Sequence, residues 1–203
     1  MEALILGFEQ FQEYMNSGGL VMWPLFICVV VLWYALGYRF YSLNRGSNAS
    51  VRNLVRKFSE GIRKKPKGMI DSAVLEALSI VKIHGQTKDT RDYITDAFNA
   101  HSVEIIKYSK LIMTIVAAAP LIGLLGTVIG MIETFDSLAD AALFSQSGGI
   151  AGGISQALFT TQLGLVVAVP GLIIGNLLQR KADKMLMDLE QIKDIVCIKE
   201  KGE

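Results

Sequence analysis

Charge is scarce along three stretches of this chain. No charged residue occurs from Leu20 to Tyr38, from Leu111 to Ile132, or from Ala141 to Gln179. Each run reaches, or comes very close to, the roughly 20 apolar residues that carry a helix through a bilayer core. Two cysteines in 203 residues exclude a disulfide framework, and Cys28 and Cys197 read as plain packing residues. Both histidines, His84 and His101, lie outside the three runs. No Ser–His pair or metal cluster can therefore form inside a membrane, which excludes an intramembrane enzyme, and no metal or cofactor is expected. No Asp, Glu, Lys, Arg or His falls at mid-depth in any run. A proton carrier needs an intramembrane titratable group. Either this chain carries no protons, or another chain brings the carboxylate.

The residues that are present fit a membrane protein. Apolar residues make up 51 % of the chain and its mean hydropathy is +0.40. The twenty Lys and Arg fall in two blocks, fourteen from Arg39 to Lys110 and six from Arg180 to Lys201. The first 38 residues have none, and neither does the stretch from Glu133 to Ile154. Cytoplasmic loops hold the Lys/Arg excess. The expected topology is N-terminus outside, three spans, C-terminus in the cytoplasm. The basic run Arg63-Lys64-Lys65-Pro66-Lys67 reads as a solvated or lipid-facing juxtamembrane segment, with no nucleic-acid partner implied. No basic stretch precedes the first span, so no cleavable signal peptide is expected.

The organisation follows from periodicity and breakers. Residues 1–18 form an outer interfacial amphipathic helix, with Leu4, Phe8, Phe11 and Met15 on one face. The first span covers 19–41, flanked by Trp and Tyr, with Pro24 in its first turns. Residues 42–108 form a cytoplasmic helical region. It contains a short basic helix capped at Ser50, a turn at Pro66 and Gly68, and a helix from Asp71 to His84. Ile70, Val74, Leu75, Leu78 and Val81 share one face of that last helix. Asp89 to about Asp136 reads as one unbroken helix, roughly 70 Å long at 1.5 Å per residue. The second span takes 109–135 of it. A periplasmic loop fills 136–152, and the third span runs 153–179. Beyond it, over 180–203, Met185, Leu189, Ile192 and Val196 keep a 4-3-4 spacing. The fold expected is all-α and integral to the membrane, with two spans extended into a cytoplasmic helical bundle.

Ala119, Gly123, Gly126 and Gly130 share one face of the second span; Gly153, Ala157, Thr161, Gly164 and Ala168 share one face of the third. Small-residue faces let helices associate in lipid, and tight packing alone accounts for the glycines. A span threonine usually bonds its own backbone. The competing reading sets Thr127 and Thr161 face to face along a polar path, with Gln156, Thr160 and Thr127 as a polar seam. Glu133 sits at the outer end of the second span as a candidate pore mouth.

The run Ala119-Pro120-Leu121-Ile122-Gly123-Leu124-Leu125-Gly126-Thr127-Val128-Ile129-Gly130-Met131 resembles the second-span signature of the ExbB/TolQ/MotA proton-channel family. Gly153-Ile154-Ser155-Gln156-Ala157-Leu158, then Thr161, Gly164-Leu165 and Val169-Pro170, resembles its third-span signature. Gly18-Gly19-Leu20-Val21-Met22-Trp23-Pro24-Leu25 is similar to ExbB-type members. Three spans match ExbB or TolQ rather than the four of MotA. The resemblance implies a homopentameric ring in a bacterial inner membrane, enclosing the single-span helices of an ExbD-like dimer. That partner's Asp carries the proton, and a TonB-like protein takes up the energy for outer-membrane uptake. By the same resemblance Thr127 and Thr161 match the span threonines facing that Asp, Pro120 and Pro170 match the span prolines, and Gly123, Gly126, Gly130 and Gly164 belong to packing and partner-facing positions. The signature usually has Glu where this chain has Gln156. A TolQ-like envelope-maintenance role, and a membrane scaffold without ion coupling, are the alternative readings.

Overall fold

The computed structural model describes residues 2–46, 49–62, 65–85, 88–141 and 148–197. The described residues are helical: α1 (Glu2–Ser17), α2 (Met22–Ser42), α3 (Val51–Ser59), α4 (Met69–His84), α5 (Lys88–Ile106), α6 (Ser109–Ala141) and α7 (Gly148–Cys197). A 3-10 turn, Gly19–Val21, joins α1 to α2. Three stretches are long and apolar enough to cross a bilayer: Gly19–Ser42, Asp89–Ala139 and Gly149–Cys197. Residues 142–147, part of the expected outer loop, lie outside the described residues, as do Ser47, Arg63, Lys64 and the last six residues.

The chain divides into two compact units. The first takes α1, α2 to Leu36, α6 from Leu111 and α7 to Gly175. Its interior holds Met15, Met22, Leu25, Leu32, Ile112, Ala119, Ala157 and Val167. Edge-on aromatic pairs pin α1, Phe11 on Phe26 at 5.3 Å and Tyr14 on Phe159 at 5.2 Å. Trp23, Ile27, Trp33, Leu121, Leu124, Val128, Leu158, Val166 and Ile173 are more than 50 % exposed. Such a surface suits lipid or further helices rather than water. Pro120 and Pro170 lie within α6 and α7. Each removes one backbone hydrogen bond, which spanning helices tolerate when neighbours satisfy the freed carbonyl.

The second unit takes residues from Gly37 to Lys110 and α7 from Asn176. It has an ordinary hydrophobic core: Leu43, Leu54, Phe58, Ile70, Val74, Ile94, Phe98, Ile105, Met185, Leu189, Ile192 and Val196. Each fully buried Leu, Ile or Met is worth about 1.5–3 kcal/mol. The 4-3-4 pattern of α7 is the stripe that turns inward here. A partly buried ion pair, Arg45 Nε to Asp188 Oδ2 at 2.7 Å, fastens the segment after α2 to α7. Arg39 is buried and donates to Gln179 Oε1 at 2.8 Å. Gly46, with φ +90°, lets the backbone pass Gly68: a Cβ there would stand 2.6 Å from the Gly68 nitrogen.

The structure departs from the sequence expectations in three places. Helix 89–136 is not continuous. It breaks at Lys107–Tyr108, where Tyr108 has φ +59°. The break is held by side chains and not by Gly or Pro. Tyr108 packs edge-on against Tyr38 at 5.2 Å. Tyr38 donates to Glu104 Oε1 at 2.6 Å, and Lys107 donates to the Tyr38 hydroxyl at 3.2 Å. Next, α4 buries Ile70, Ala73, Val74 and Ala77, whereas Leu75, Leu78 and Val81 are only half-buried. The small residues allow α3 and α5 to pack closely on that face. Finally, Ser50 occupies the N-cap of α3, but its side chain makes no capping bond.

Candidate functional site

The small-residue faces of α6 and α7 meet within the first unit. A Cβ on Gly164 would stand 2.9 Å from the Ala119 carbonyl oxygen; one on Gly123 would be 3.0 Å from that of Thr160. A Cβ on Gly130 would be 2.6 Å from the Gly153 carbonyl oxygen. Real Cβ atoms essentially never come closer than 3.0 Å, so glycine at Gly130 and Gly164 lets the two backbones run in direct contact, and Gly123 stands at that limit. Gly126 faces the side chain of Thr160, and Gly153 faces that of Thr134.

The threonines divide by role. Thr160 is fully buried, and its hydroxyl donates to the carbonyls of Gln156 at 3.1 Å and Ala157 at 3.0 Å. Thr134 is buried too and donates to Gly130 at 2.8 Å. Thr127 and Thr161 are half-buried at the margins of the contact. Thr127 donates to Leu124 at 2.6 Å and Thr161 to Ala157 at 3.1 Å. Among the described residues no hydrogen bond joins Thr127 to Thr161. Among the described residues, Thr160 and Thr134 are the buried threonines set between the two spans. Pro120 and Pro170 are half-buried.

The polar seam also differs from the one expected. Gln156 donates from Nε2 to Glu133 Oε1 at 3.1 Å. Gly19 makes room for it: φ there is +65°, and a Cβ would stand 2.7 Å from Gln156 Nε2. Three elements thus converge on one amide. Around the pair opens a polar cleft of about 350 Å³, lined by Asn16, Ser17, Glu133, Ser137, Ser155 and Gln156 among others. Thr134, Ser137 and the Gly19 approach were missed from sequence. Thr134 continues the Gly126–Gly130 register by four residues, a signal that was legible; the Gly19 contact links residues 137 positions apart and had none.

Comparison with known proteins now bears on this geometry. The profile of the MotA/TolQ/ExbB proton channel family matches residues 65–191, well over half of the chain. The chain belongs to the MotA/TolQ/ExbB proton channel family. The matched segment contains α4, α5, α6 and most of α7, so it includes the whole glycine-threonine contact. Among similar proteins, biopolymer transport protein exbB1 of Vibrio cholerae is 28 % identical over 203 residues, covering 93 % of this chain and 87 % of that protein. An ExbB-like protein of Synechocystis is 28 % identical over 173 residues, covering 79 % and 80 %. ExbB of Aquifex aeolicus is 39 % identical over 89 residues, covering 44 % and 60 %. For this family member the three apolar helical stretches are those of a multi-pass membrane protein.

Proposed function

We propose that this chain is the channel-forming subunit of an energy-transducing complex in a bacterial inner membrane. Copies of it form a ring, five by the family resemblance, around the single-span helices of an ExbD-like dimer. The complex couples the proton-motive force to a TonB-like protein that energises outer-membrane uptake. The chain does ionic and mechanical work and is not an enzyme.

One observation carries this reading. The α6–α7 wall consists of Gly, Ala and Thr in backbone contact, with no titratable group between Leu111 and Ile132 or between Ala141 and Gln179. Such a wall offers a partner helix a smooth surface dotted with hydroxyls, but it cannot carry a proton by itself. The carboxylate must come from the partner. Thr127 and Thr161, half-buried at the edges of the contact, are the hydroxyls left for a second helix to meet. Glu133, held by Gln156, supplies negative charge at the outer mouth. Each charge moved through the field yields about 2.3 kcal/mol per 100 mV, enough for a few protons to turn or displace an inner helix pair.

The test begins with native mass in detergent, alone and with an ExbD-like partner co-expressed. A closed five-membered ring weighs about 111 kDa, five times 22.2 kDa, and gains a partner dimer on co-expression. Thr127→Val and Thr161→Val should keep that mass and abolish proton-dependent uptake. A monomer indifferent to the partner, or wild-type uptake in both variants, favours a scaffold without ion coupling.

A further inference from the structure

The second unit carries two exposed faces of opposite charge that have no ion-pair partner among the described residues. One is a groove of about 410 Å³ between α3, α4 and the end of α7. Its floor is apolar, made by Val55, Leu78, Val81 and Val196, and Arg52 and Arg56 stand one helical turn apart on its rim. Both arginines are exposed, and among the described residues neither guanidinium has a carboxylate partner. The other face is on α5. Asp89, Asp92 and Asp96 recur at three and four residues around Tyr93, which is 51 % exposed and stacks on His84 at 4.7 Å. These aspartates likewise have no cation partner among the described residues. Arg91, a cation of the same helix, is paired with Asp194 at 3.1 Å.

We propose that the occupant of the groove is the α5 face of a second copy of this chain. Tyr93 enters the apolar floor, and the aspartates around it meet Arg52 and Arg56. Charge complementarity selects this occupant: one unit carries both a basic-rimmed apolar groove and an acidic-rimmed aromatic knob. An aromatic anchor ringed by charge is a common form of interface core. A reciprocal exchange of knob and groove would close at two copies, so the ring proposed above requires a heterologous contact. Each copy gives its knob to one neighbour and its groove to the other, which generates a closed ring when the rotation closes. The proposal rests on the self-assembly reading above and specifies the surfaces that set it.

The test uses the full chain in native membranes, with Cys28 and Cys197 replaced by Ala. Ser59 lines the groove and Ala100 is exposed one turn beyond Asp96. A Ser59→Cys/Ala100→Cys chain treated with a short bis-maleimide should give a ladder ending at the closed ring. A mixture of the two single-cysteine chains should stop at dimers. Arg52→Glu/Arg56→Glu should cut cross-linking about tenfold, as should Asp92→Lys/Asp96→Lys, and the quadruple variant should restore it. Ring mass retained with no cross-link, or with links only between like positions, overturns this inference and leaves the ring standing. A wild-type chain that is monomeric in its native mass overturns the ring reading itself.

Discussion

At the scale of single residues, the α6–α7 contact is governed by what a methyl group would meet. At Gly126 it would meet Thr160, whose Cγ2 would stand 2.7 Å away and whose hydroxyl is already bound to two carbonyls. Gly126→Ala must therefore push apart two helices or tear Thr160 from its bonds, at a cost of about 1–3 kcal/mol. Gly152 has nothing within 4 Å and lies within α7, so Gly152→Ala should raise stability by up to about 1 kcal/mol. Thermal unfolding in detergent should separate the two; equal melting temperatures would mean that the spans do not touch at Gly126. The Glu133–Gln156 pair makes a second prediction. Gln156→Glu sets two carboxylates at hydrogen-bond distance, and like charges there repel. Ion-coupled uptake should fall about tenfold in Gln156→Glu and in Glu133→Gln, through repulsion in one and loss of charge in the other. The exchanged pair Glu133→Gln/Gln156→Glu keeps one carboxylate and one amide, and should recover. Wild-type uptake in Gln156→Glu would show the site to be merely polar.

At the scale of elements, the most informative feature is the break between α5 and α6. Composition hides it. Residues 101–114 contain neither Gly nor Pro, and the apolar spacing runs through without a gap. The positive φ of Tyr108 costs about 1–2 kcal/mol for an L residue. The compensation is tertiary: Tyr38, 70 positions earlier, bonds Glu104, accepts from Lys107 and packs on Tyr108. No local rule sees such a contact, whereas the α7 stripe was legible because its partners all lie on one side. The break can be tested by the order of two substitutions. In a continuous helix Ala is more stable than Gly by about 1 kcal/mol. At a left-handed position the order reverses, because Gly adopts it without strain. Tyr108→Gly should thus melt above Tyr108→Ala, and the opposite order would restore the single long helix.

At the scale of the whole molecule, the distribution of charge decides what composition does not. A net charge of +1 conceals a division of twenty cations to none between the two sets of non-spanning segments. The span count and the small-residue faces could be read from sequence because lipid imposes them on every helix alike. The identity of the buried threonine could not. Thr160 and Thr161 are adjacent, and a rotation of one residue about the α7 axis exchanges them. The same division of charge predicts an orientation, since Lys and Arg near spans are retained in the cytoplasm. In a chain freed of Cys28 and Cys197, Gln10→Cys on α1 and Ser59→Cys on α3 are both exposed. A membrane-impermeant maleimide that crosses the outer membrane should label Gln10→Cys in intact cells and reach Ser59→Cys only after the inner membrane is opened. The reverse pattern would place fourteen cations of one connecting segment outside, against the charge rule that orients spans during insertion.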